Sequence, residues 1–446
     1  MTGATTTPVT LALVGAGLRG LTYARHASAG GAGTVVAVAE PDPRRRAAAA
    51  AEFGVPPERV FGDASELAAT GRRLADAAVI ATQDRQHTGP AVALAGLGYH
   101  LLLEKPMATT ESDTVAITDA ARDAGVMLAV CHVLRYTPYT RAIKELLDGG
   151  LIGRLVSVQH LEPVGWWHHA HSFVRGNWRR QDTSAPMLLT KSCHDIDWLI
   201  HVIGESPARV SSFGSLTHFR AEDTPPGATA RCLDCPLEPV CPYSAKRLYL
   251  GCLGDPDAEF WPLSAVTSDH TEQGVLDALR TGPYGRCVYA CDNDVVDHQV
   301  VAMEFPSGAT CSFTMSAFTR MEQRRTQLLG THGFVDGDGH TLRVVDFRDG
   351  SEWTIDTLTG SGASAEDGHG GGDEELTAAF LAAVATGDRS LLLSTAEESL
   401  ATHRVVWAAE EARTSGRVVR VEPPGTEPGE GVAAPTRRRA ATTRPE

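Results

Sequence analysis

The chain has no apolar run as long as a membrane span, so it is not expected to cross a bilayer. Its first residues, Met-Thr-Gly-Ala-Thr-Thr-Thr-Pro, lack a basic start and an apolar h-region. No secretory signal is expected there, and a cytoplasmic location follows. Positive charge is in deficit: 40 Lys and Arg stand against 55 Asp and Glu, a formal net charge of −15. That balance argues against nucleic acid and anionic membrane as partners. A disulfide framework is equally unexpected, because the nine cysteines of a cytosolic chain are expected as thiols or metal ligands. What remains is ordinary for a globular protein: 446 residues, 42% apolar and 21% charged. That length exceeds one core, so two domains are expected.

The most informative segment lies near the start. A short apolar strand over 9–14 runs into Gly15-Ala-Gly17-Leu18-Arg19-Gly20 and then a helical stretch over 18–29. Gly15 permits the tight turn, Gly17 lets a pyrophosphate approach the backbone, and Gly20 lets the helix lie close to the sheet. The free N–H groups and positive dipole end of that helix then face the anion. Residues 34–40 read as a second buried parallel strand ending in Glu40. Glu40 lies about twenty residues past the last glycine, where a carboxylate accepts hydrogen bonds from ribose hydroxyls. This favours NAD over NADP. Arg44, Arg45 and Arg46 leave a 2′-phosphate site open as the other reading; otherwise they are the solvated first turn of a helix over 43–53.

Strand and helix then alternate: strands over 77–81, 99–103 and 127–130, and helices over 89–97 and 111–124. Repeated βα units imply a doubly wound parallel sheet. Beyond Arg135 the strands lengthen, over 155–161, 209–217, 295–305, 309–317, 343–347 and 353–355, with hairpin turns at Pro306-Ser-Gly308 and Arg348-Asp-Gly350. A second domain built on one large, open, mainly antiparallel sheet is expected, with helices over 374–385 and 395–414. The division is 1–134 and 135–422, with a cysteine-containing insert over about 220–292. The Gly/Ser/Asp stretch 360–372 reads as a flexible loop. The stretch 423–446, with Arg437–Arg439, reads as a disordered tail. No internal repeat is visible.

Glu104-Lys105-Pro106 follows the strand 99–103, at the sheet edge where ligands bind in such folds. Pro106 restricts Lys105 to an extended conformation. A lysine fixed there can hydrogen-bond a substrate hydroxyl and stabilise charge developing on its oxygen. The glycine loop, Glu104-Lys105-Pro106 and Ser192-Cys-His194-Asp195-Ile-Asp197, in that order, resemble the Gfo/Idh/MocA family of NAD(P)-dependent oxidoreductases over roughly residues 9–421.

The resemblance implies a Rossmann domain followed by an open-sheet α/β domain. It implies oxidation or reduction of a hydroxyl or carbonyl on a sugar, inositol or related polyol, and a homo-oligomer, dimer or tetramer. Lys105 and His194 would flank the reacting carbon. An imidazole with a reference pKa of about 6.5 suits proton removal at neutral pH. His194 falls in a helical stretch over 188–203 and shares one face with Asp197, which can orient the imidazole or pack locally. Many family members carry an Asp one turn before this histidine; here Thr190 stands there, followed by Lys191. The alternative activity is a lyase or glycosidase with transient oxidation and no net redox. A non-catalytic dinucleotide-binding protein is a third reading.

Three further segments are expected to line the site. Thr82 and His87 follow a parallel strand and resemble the family's cofactor loop. His132, Arg135 and Tyr136 follow the last strand of the first domain; Arg135 reads either as an oxyanion clamp or as a domain-joining salt bridge. Trp166-Trp167-His168-His169-Ala-His171, with Trp178 beyond, suits stacking on a sugar ring or simply covers the sheet. Finally, Cys232-Leu-Asp-Cys235 and Cys241 give C-x2-C-x5-C, with Cys252, Cys287 and Cys291 later. With Cys252 or Cys287 as a remote fourth ligand this spacing suits a structural zinc site; an iron–sulfur cluster uses similar spacing, and free buried thiols are the remaining reading.

Overall fold

The computed structural model describes residues 7–358 and 370–422. Most of the expected loop 360–372 and the whole of the expected tail 423–446 lie outside the described residues. The first sheet is parallel throughout and has six strands: β1 (Val9–Val14), β2 (Gly33–Ala39), β3 (Val60–Phe61), β4 (Ala77–Ile80), β5 (His100–Leu103) and β6 (Leu128–Val130). Their order is β3-β2-β1-β4-β5-β6. β1, β4 and β6 are almost wholly buried, as a sheet covered by helices on both faces requires. The strand order reverses between β1 and β4, so the loops leaving their carboxyl ends diverge there and open a crevice.

The second sheet has nine strands: β7 (Leu155–Pro163), β8 (Arg209–Ser215), β9 (His298–Glu304), β10 (Thr310–Ser316), β11 (Arg325–Gly330), β12 (Gly333–Gly337), β13 (Thr341–Asp346), β14 (Glu352–Asp356) and β15 (Val419–Arg420). The order is β14-β13-β12-β11-β7-β10-β9-β8-β15. Only β7 and β10 pair in parallel. Side chains of β9 and β10 alternate between buried and exposed, so one face is covered and the other is open. The covered face packs on the helices Cys193–Ile203 and Ala396–Ser415, with Phe313, Val301, Ile196, Leu199 and Val406 in one core. The helix Gly372–Thr386 reaches back to the first sheet, where Leu376 and Phe380 join Leu11, Leu13 and Tyr23.

Two segments differ from expectation in a way that bears on the site. The helical stretch over 188–203 is two helices, Met187–Thr190 and Cys193–Ile203. The break at Lys191 and Ser192 releases the Thr190 carbonyl, which accepts a hydrogen bond from Lys105 Nζ at 3.0 Å. The Trp/His segment is helical too, Trp166–His169 continuing into a wide π-type turn over Ala170–Arg175. Such turns present side chains that a regular helix would not.

Candidate active site

The glycine loop sits against the loop after β4. Gly15 has φ +90°, and a Cβ there would lie 2.6 Å from the Ala81 carbonyl oxygen. A Cβ on Gly20 would lie 2.1 Å from the Gly15 carbonyl oxygen, so helix and turn close only with glycine at both positions. A Cβ on Gly17 would meet open space. The helix Leu18–Ala29 begins without a side-chain cap and without an acid in its first turn, which leaves its N–H groups and dipole to an anionic ligand. Glu40 is buried; Oε2 accepts from Ala16 N at 2.7 Å and Oε1 from Asp42 N at 2.9 Å. The acid thus ties the loop to the end of β2, and each oxygen keeps a further acceptor site. Thr82 Oγ1, beside the loop, is buried with no hydrogen-bond partner. These features fit a dinucleotide. Arg46 donates to the Glu40 carbonyl at 2.6 Å, whereas Arg44 and Arg45 are exposed.

The turn Glu104–Met107 leaves the carboxyl end of β5 and is held from four directions. Glu104 Oε1 accepts from Arg19 Nε at 2.6 Å and from Tyr23 Oη at 2.9 Å; Oε2 accepts from Lys105 N at 2.6 Å. Burial pushes the Glu104 carboxyl up, but the Arg19 guanidinium and the Lys105 ammonium together hold it below the usual range. The Pro106 carbonyl lies 2.8 Å from His87 Nδ1. Met107 N donates to His403 Nε2 at 3.0 Å, and His403 Nδ1 donates to the Ser399 carbonyl. The fourth hold is Lys105 Nζ on Thr190.

Several sequence expectations are corrected here. Arg19 does not reach for a cofactor, because its guanidinium is committed to Glu104, Tyr23 and Asp373, with Nη1–Oδ2 at 3.0 Å to Asp373. Arg19 has only its backbone at the helix start to offer, while the Leu18 side chain is half-buried there. Glu104 is a strut with both oxygens engaged within the protein. His87 is fully buried, with Nδ1 2.8 Å from the Pro106 carbonyl and Nε2 3.2 Å from the Thr82 carbonyl, and props the turn from within the protein.

The rear wall comes from the second domain. His194 is on the first turn of Cys193–Ile203, four residues past the carbonyl that holds Lys105, and is 4% exposed. Its ring meets His132 edge-on, centroids 5.9 Å apart, and His132 in turn meets His403 at 6.1 Å. Burial pushes His132 down to about 4 and His403 down to about 3. Arg135 is not free to clamp a substrate. Nε and Nη2 each donate to Asp197 at 2.7 Å, and Nη1 donates to the Leu393 carbonyl and lies 3.3 Å from Glu398. Asp197 also accepts from Thr402 Oγ1 at 3.0 Å and lies 3.7 Å from His132 Nε2. The Arg135 guanidinium is thus engaged by Asp197, Leu393 and Glu398. Tyr136 is likewise structural, accepting from Leu393 N at 2.8 Å and lying 3.2 Å from Ser394 Oγ.

Beside this wall lies a cavity of about 430 Å³ lined by Glu162, His168, Lys191, Arg324, Asp338 and His340, among others. Glu162, at the end of β7, pairs with Lys191 Nζ at 3.1 Å and with Arg324 Nε at 2.9 Å. Arg324 also donates to Asp195 at 2.7 Å, and Asp195 faces His160 at 3.3 Å. A carboxylate is therefore present near Thr190, but it comes from another strand. Sequence reasoning missed Glu162 and Arg324; their only signal is a charge at the end of one strand and the start of another. Trp167 is not among the residues that line this cavity and packs on Trp261, ring centroids 5.3 Å apart. His169 and His171 are buried against Phe219 and Tyr249, so most of the Trp/His segment is the seat of the insert and only His168 reaches the cavity wall.

The zinc expectation is also corrected. Cys232, Cys235, Cys241 and Cys287 line one cavity of about 200 Å³. Among the described residues, no three His, Cys, Asp or Glu side chains converge closely enough to hold one metal ion. Cys232 and Cys235 flank one short turn, and Cys241 and Cys287 come from two others.

Profiles of one oxidoreductase family match most of the chain: its NAD-binding Rossmann fold over residues 9–132 and its C-terminal α/β domain over 144–421. A protein of Bacillus subtilis (strain 168) called YteT is 27% identical over 314 residues, covering 67% of this chain and 70% of YteT. The 1,5-anhydro-D-fructose reductase of Ensifer adhaerens is 31% identical over 178 residues, 40% of this chain and about half (51%) of that enzyme. A crystal structure of an oxidoreductase from Agrobacterium radiobacter with NAD+, L-tartaric acid and magnesium shares the fold, with TM-score 0.67, 17% identity, and coverage of 93% of this chain and 99% of that one. The glycine loop, the turn after β5 and the histidine-bearing helix of the second domain thus sit on the two-domain frame of one family: this chain belongs to the Gfo/Idh/MocA oxidoreductases, with an NAD-binding Rossmann domain followed by the family's C-terminal α/β domain.

Proposed function

We propose that the chain is an NAD-dependent dehydrogenase that oxidises a secondary hydroxyl of a sugar, inositol or related polyol. The observation that carries this reading is the hydrogen bond from Lys105 Nζ to the Thr190 carbonyl, which joins the ligand edge of the first sheet to the segment bearing His194. The backbone of Gly15–Gly20, Thr82 and the Glu40 carboxylate would hold the dinucleotide. Bound there, it supplies a hydride acceptor. Lys105 donates a hydrogen bond to the hydroxyl oxygen and stabilises the charge that grows on it, and His194 takes the proton. His132, neutral because it is buried, packs on His194 and helps fix its ring. The cavity presents Lys191 and Arg324 beside Glu162 and Asp338, donors and acceptors that suit several hydroxyls of one ligand.

Glu40 favours NAD, since its charge repels a 2′-phosphate, while the exposed Arg44 and Arg45 keep NADP as the competing cofactor. The redox-neutral lyase or glycosidase reading has less behind it, because the sugar-acting relative described above is a reductase. A homo-oligomer belongs to the same proposal, with the open face of the second sheet, where Val156, Phe213 and Val300 are exposed, as the association surface.

The test is a panel of sugars, inositols and sugar acids with NAD and with NADP, followed by the absorbance of reduced nicotinamide. Net reduced cofactor with a polyol supports the reading. Glycoside cleavage without net reduction, or cofactor binding with no turnover of any panel member, contradicts it.

A further inference from the structure

Acids and bases alike line the 430 Å³ cavity. By residue type it suits any polar ligand, but the bonds already made within the protein leave it one-sided. Its acids are spent or closed off. Glu162 and the neighbouring Asp195 are almost fully buried, and Glu162 Oε2 and Asp195 Oδ2 are atoms shut off from solvent. Asp338 shapes its own turn: Oδ1 accepts from His340 N at 3.0 Å and Thr341 N at 2.7 Å, and Oδ2 accepts from Thr341 Oγ1 at 2.7 Å. Glu322 is exposed and pairs with the equally exposed Arg325 at 3.3 Å.

The two inner bases are not spent. Arg324 meets both acids through Nε alone, 2.7 Å from Asp195 and 2.9 Å from Glu162; among the described residues neither Nη1 nor Nη2 has a hydrogen-bond partner. Lys191 Nζ has Glu162 at 3.1 Å as its one partner among the described residues, which leaves two of its three N–H groups. Exposure follows the same division. Lys191 and Arg324 keep 20% and 13% of their side chains open, against 4% for Glu162 and none for Asp195.

Unspent donors beside spent acceptors select for the chemistry of the ligand. A hydroxyl donates as well as accepts, so a ligand made only of hydroxyls brings protons to acceptors that this wall has committed elsewhere. An ionised carboxylate only accepts. The Nη1–Nη2 end of a guanidinium presents two parallel N–H groups that match its two oxygens. The buried acids then limit the charge. A phosphate ester would set about −1.5 to −2 against Glu162 and Asp195, whereas a carboxylate sets a single charge.

We propose that the substrate is a sugar acid, an aldonate or uronate, whose carboxylate is received by the Nη1–Nη2 end of Arg324 and by Lys191. This rests on the dehydrogenase reading. The carboxylate is a handle and is unchanged by the reaction, while a hydroxyl on another carbon meets Lys105 and His194. Lys191 directly follows Thr190, whose carbonyl accepts from Lys105 Nζ at 3.0 Å, so the anchor and the reacting end lie along one stretch of chain. Arg324 and Lys191 set the specificity, and Glu162, paired with both, positions them.

The test compares matched pairs on the full chain: D-gluconate with D-glucitol, D-galactonate with D-galactitol, and D-glucuronate and D-galacturonate with their parent aldoses. Each pair differs only in whether one carbon is a carboxylate or a hydroxymethyl group. Titration calorimetry with NAD present reads affinity, and the absorbance of reduced nicotinamide reads kcat/KM. In at least one pair the acid is expected to bind about tenfold to a hundredfold more tightly, the worth of charge-assisted hydrogen bonds. Lys191→Met should cut that preference about tenfold. Arg324→Lys, which keeps a charge beside Asp195 and Glu162 but loses the fork, should cut it too; NAD binding checks that each variant is folded, and the pairs on the unmutated chain need no variant. Equal affinity for acid and neutral member in every pair overturns the proposal, as does tighter binding of D-glucose 6-phosphate than of any acid. Reduced cofactor from neutral polyols alone would overturn it and leave the dehydrogenase standing. Acid-selective binding without turnover would uphold the carboxylate site and overturn the dehydrogenase.

Discussion

Two buried clusters of charge flank the crevice, and they differ in what remains open. Along the seam between the domains, Arg135 and Asp197 are almost fully buried and every strong donor and acceptor is spent on the protein: a bidentate pair, Thr402, the Leu393 carbonyl and Glu398. At the cavity wall, Glu162 is just as buried, but its partners Lys191 and Arg324 keep 20% and 13% of their side chains exposed to a space of about 430 Å³. A buried ion pair with all partners satisfied holds elements together; one that turns part of each charge toward a cavity can exchange those partners for a ligand. Residue type does not distinguish them, since both are a basic residue beside an acid. The count of committed hydrogen bonds does.

The contrast is sharpest where the chemistry is assigned. Among the described residues, the Lys105 ammonium has a single hydrogen-bond partner, a carbonyl. Lys105→Met is expected to cut kcat by about 10³-fold or more and to leave both NAD affinity and the unfolding midpoint close to those of the parent chain. Full turnover would remove the amine from the mechanism.

The seam should answer in the opposite currency. Asp197→Ala leaves Arg135 buried without its partner and is expected to cost about 3–5 kcal/mol of stability in denaturant unfolding. The double change Arg135→Met with Asp197→Leu should recover most of that. A single variant as stable as the parent would mean that the pair does not hold the domains.

Acid should act on the seam and the seat of the insert. Burial pushes His132 and His169 down to about 4, and His171 and His403 down to about 3. In the unfolded chain they titrate near 6.5. Below about pH 6.5 the unfolded state binds protons that the folded state refuses, so stability falls as pH falls. The loss continues down through the folded values, by up to about 1.4 kcal/mol per pH unit per histidine. Above about pH 7 these groups contribute no slope. Unfolding free energies measured at about pH 7.5, 6 and 5 check this; a flat profile across that window contradicts it.

The smallest expected effect belongs to the cavity wall. Lys191→Met should raise KM for the polyol by about tenfold, the worth of one charge-assisted hydrogen bond, with kcat and stability little changed. An effect on stability instead of KM would place Lys191 with the seam.

The same contrast explains what the sequence made legible. The glycine loop could be read because a strand, three glycines and a helix specify it within twenty residues, and the doubly wound parallel sheet followed from repeated βα units. Lys105 and His194 stood out because short local patterns frame them. Partners were another matter. Nothing near Arg135 reveals that Asp197 and Leu393 converge on it from two distant stretches. The apolar run 188–203 conceals the break at Lys191 and Ser192, since its side chains suit a helix throughout and only the bond to Lys105 rewards the interruption. Glu162 and Arg324 meet across the paired strands β7 and β11, a register that no local pattern of 325–330 announced.

The account's central claim is that Lys105 and His194 act on one oxygen as a unit. A double-mutant cycle on kcat tests this most directly, with Lys105→Met, His194→Asn and both together, each checked for NAD binding. Groups that act as a unit are strongly non-additive, so the double variant should be only slightly slower than the worse single one. Two independent losses that multiply, or a single variant that keeps its turnover, would contradict the claim.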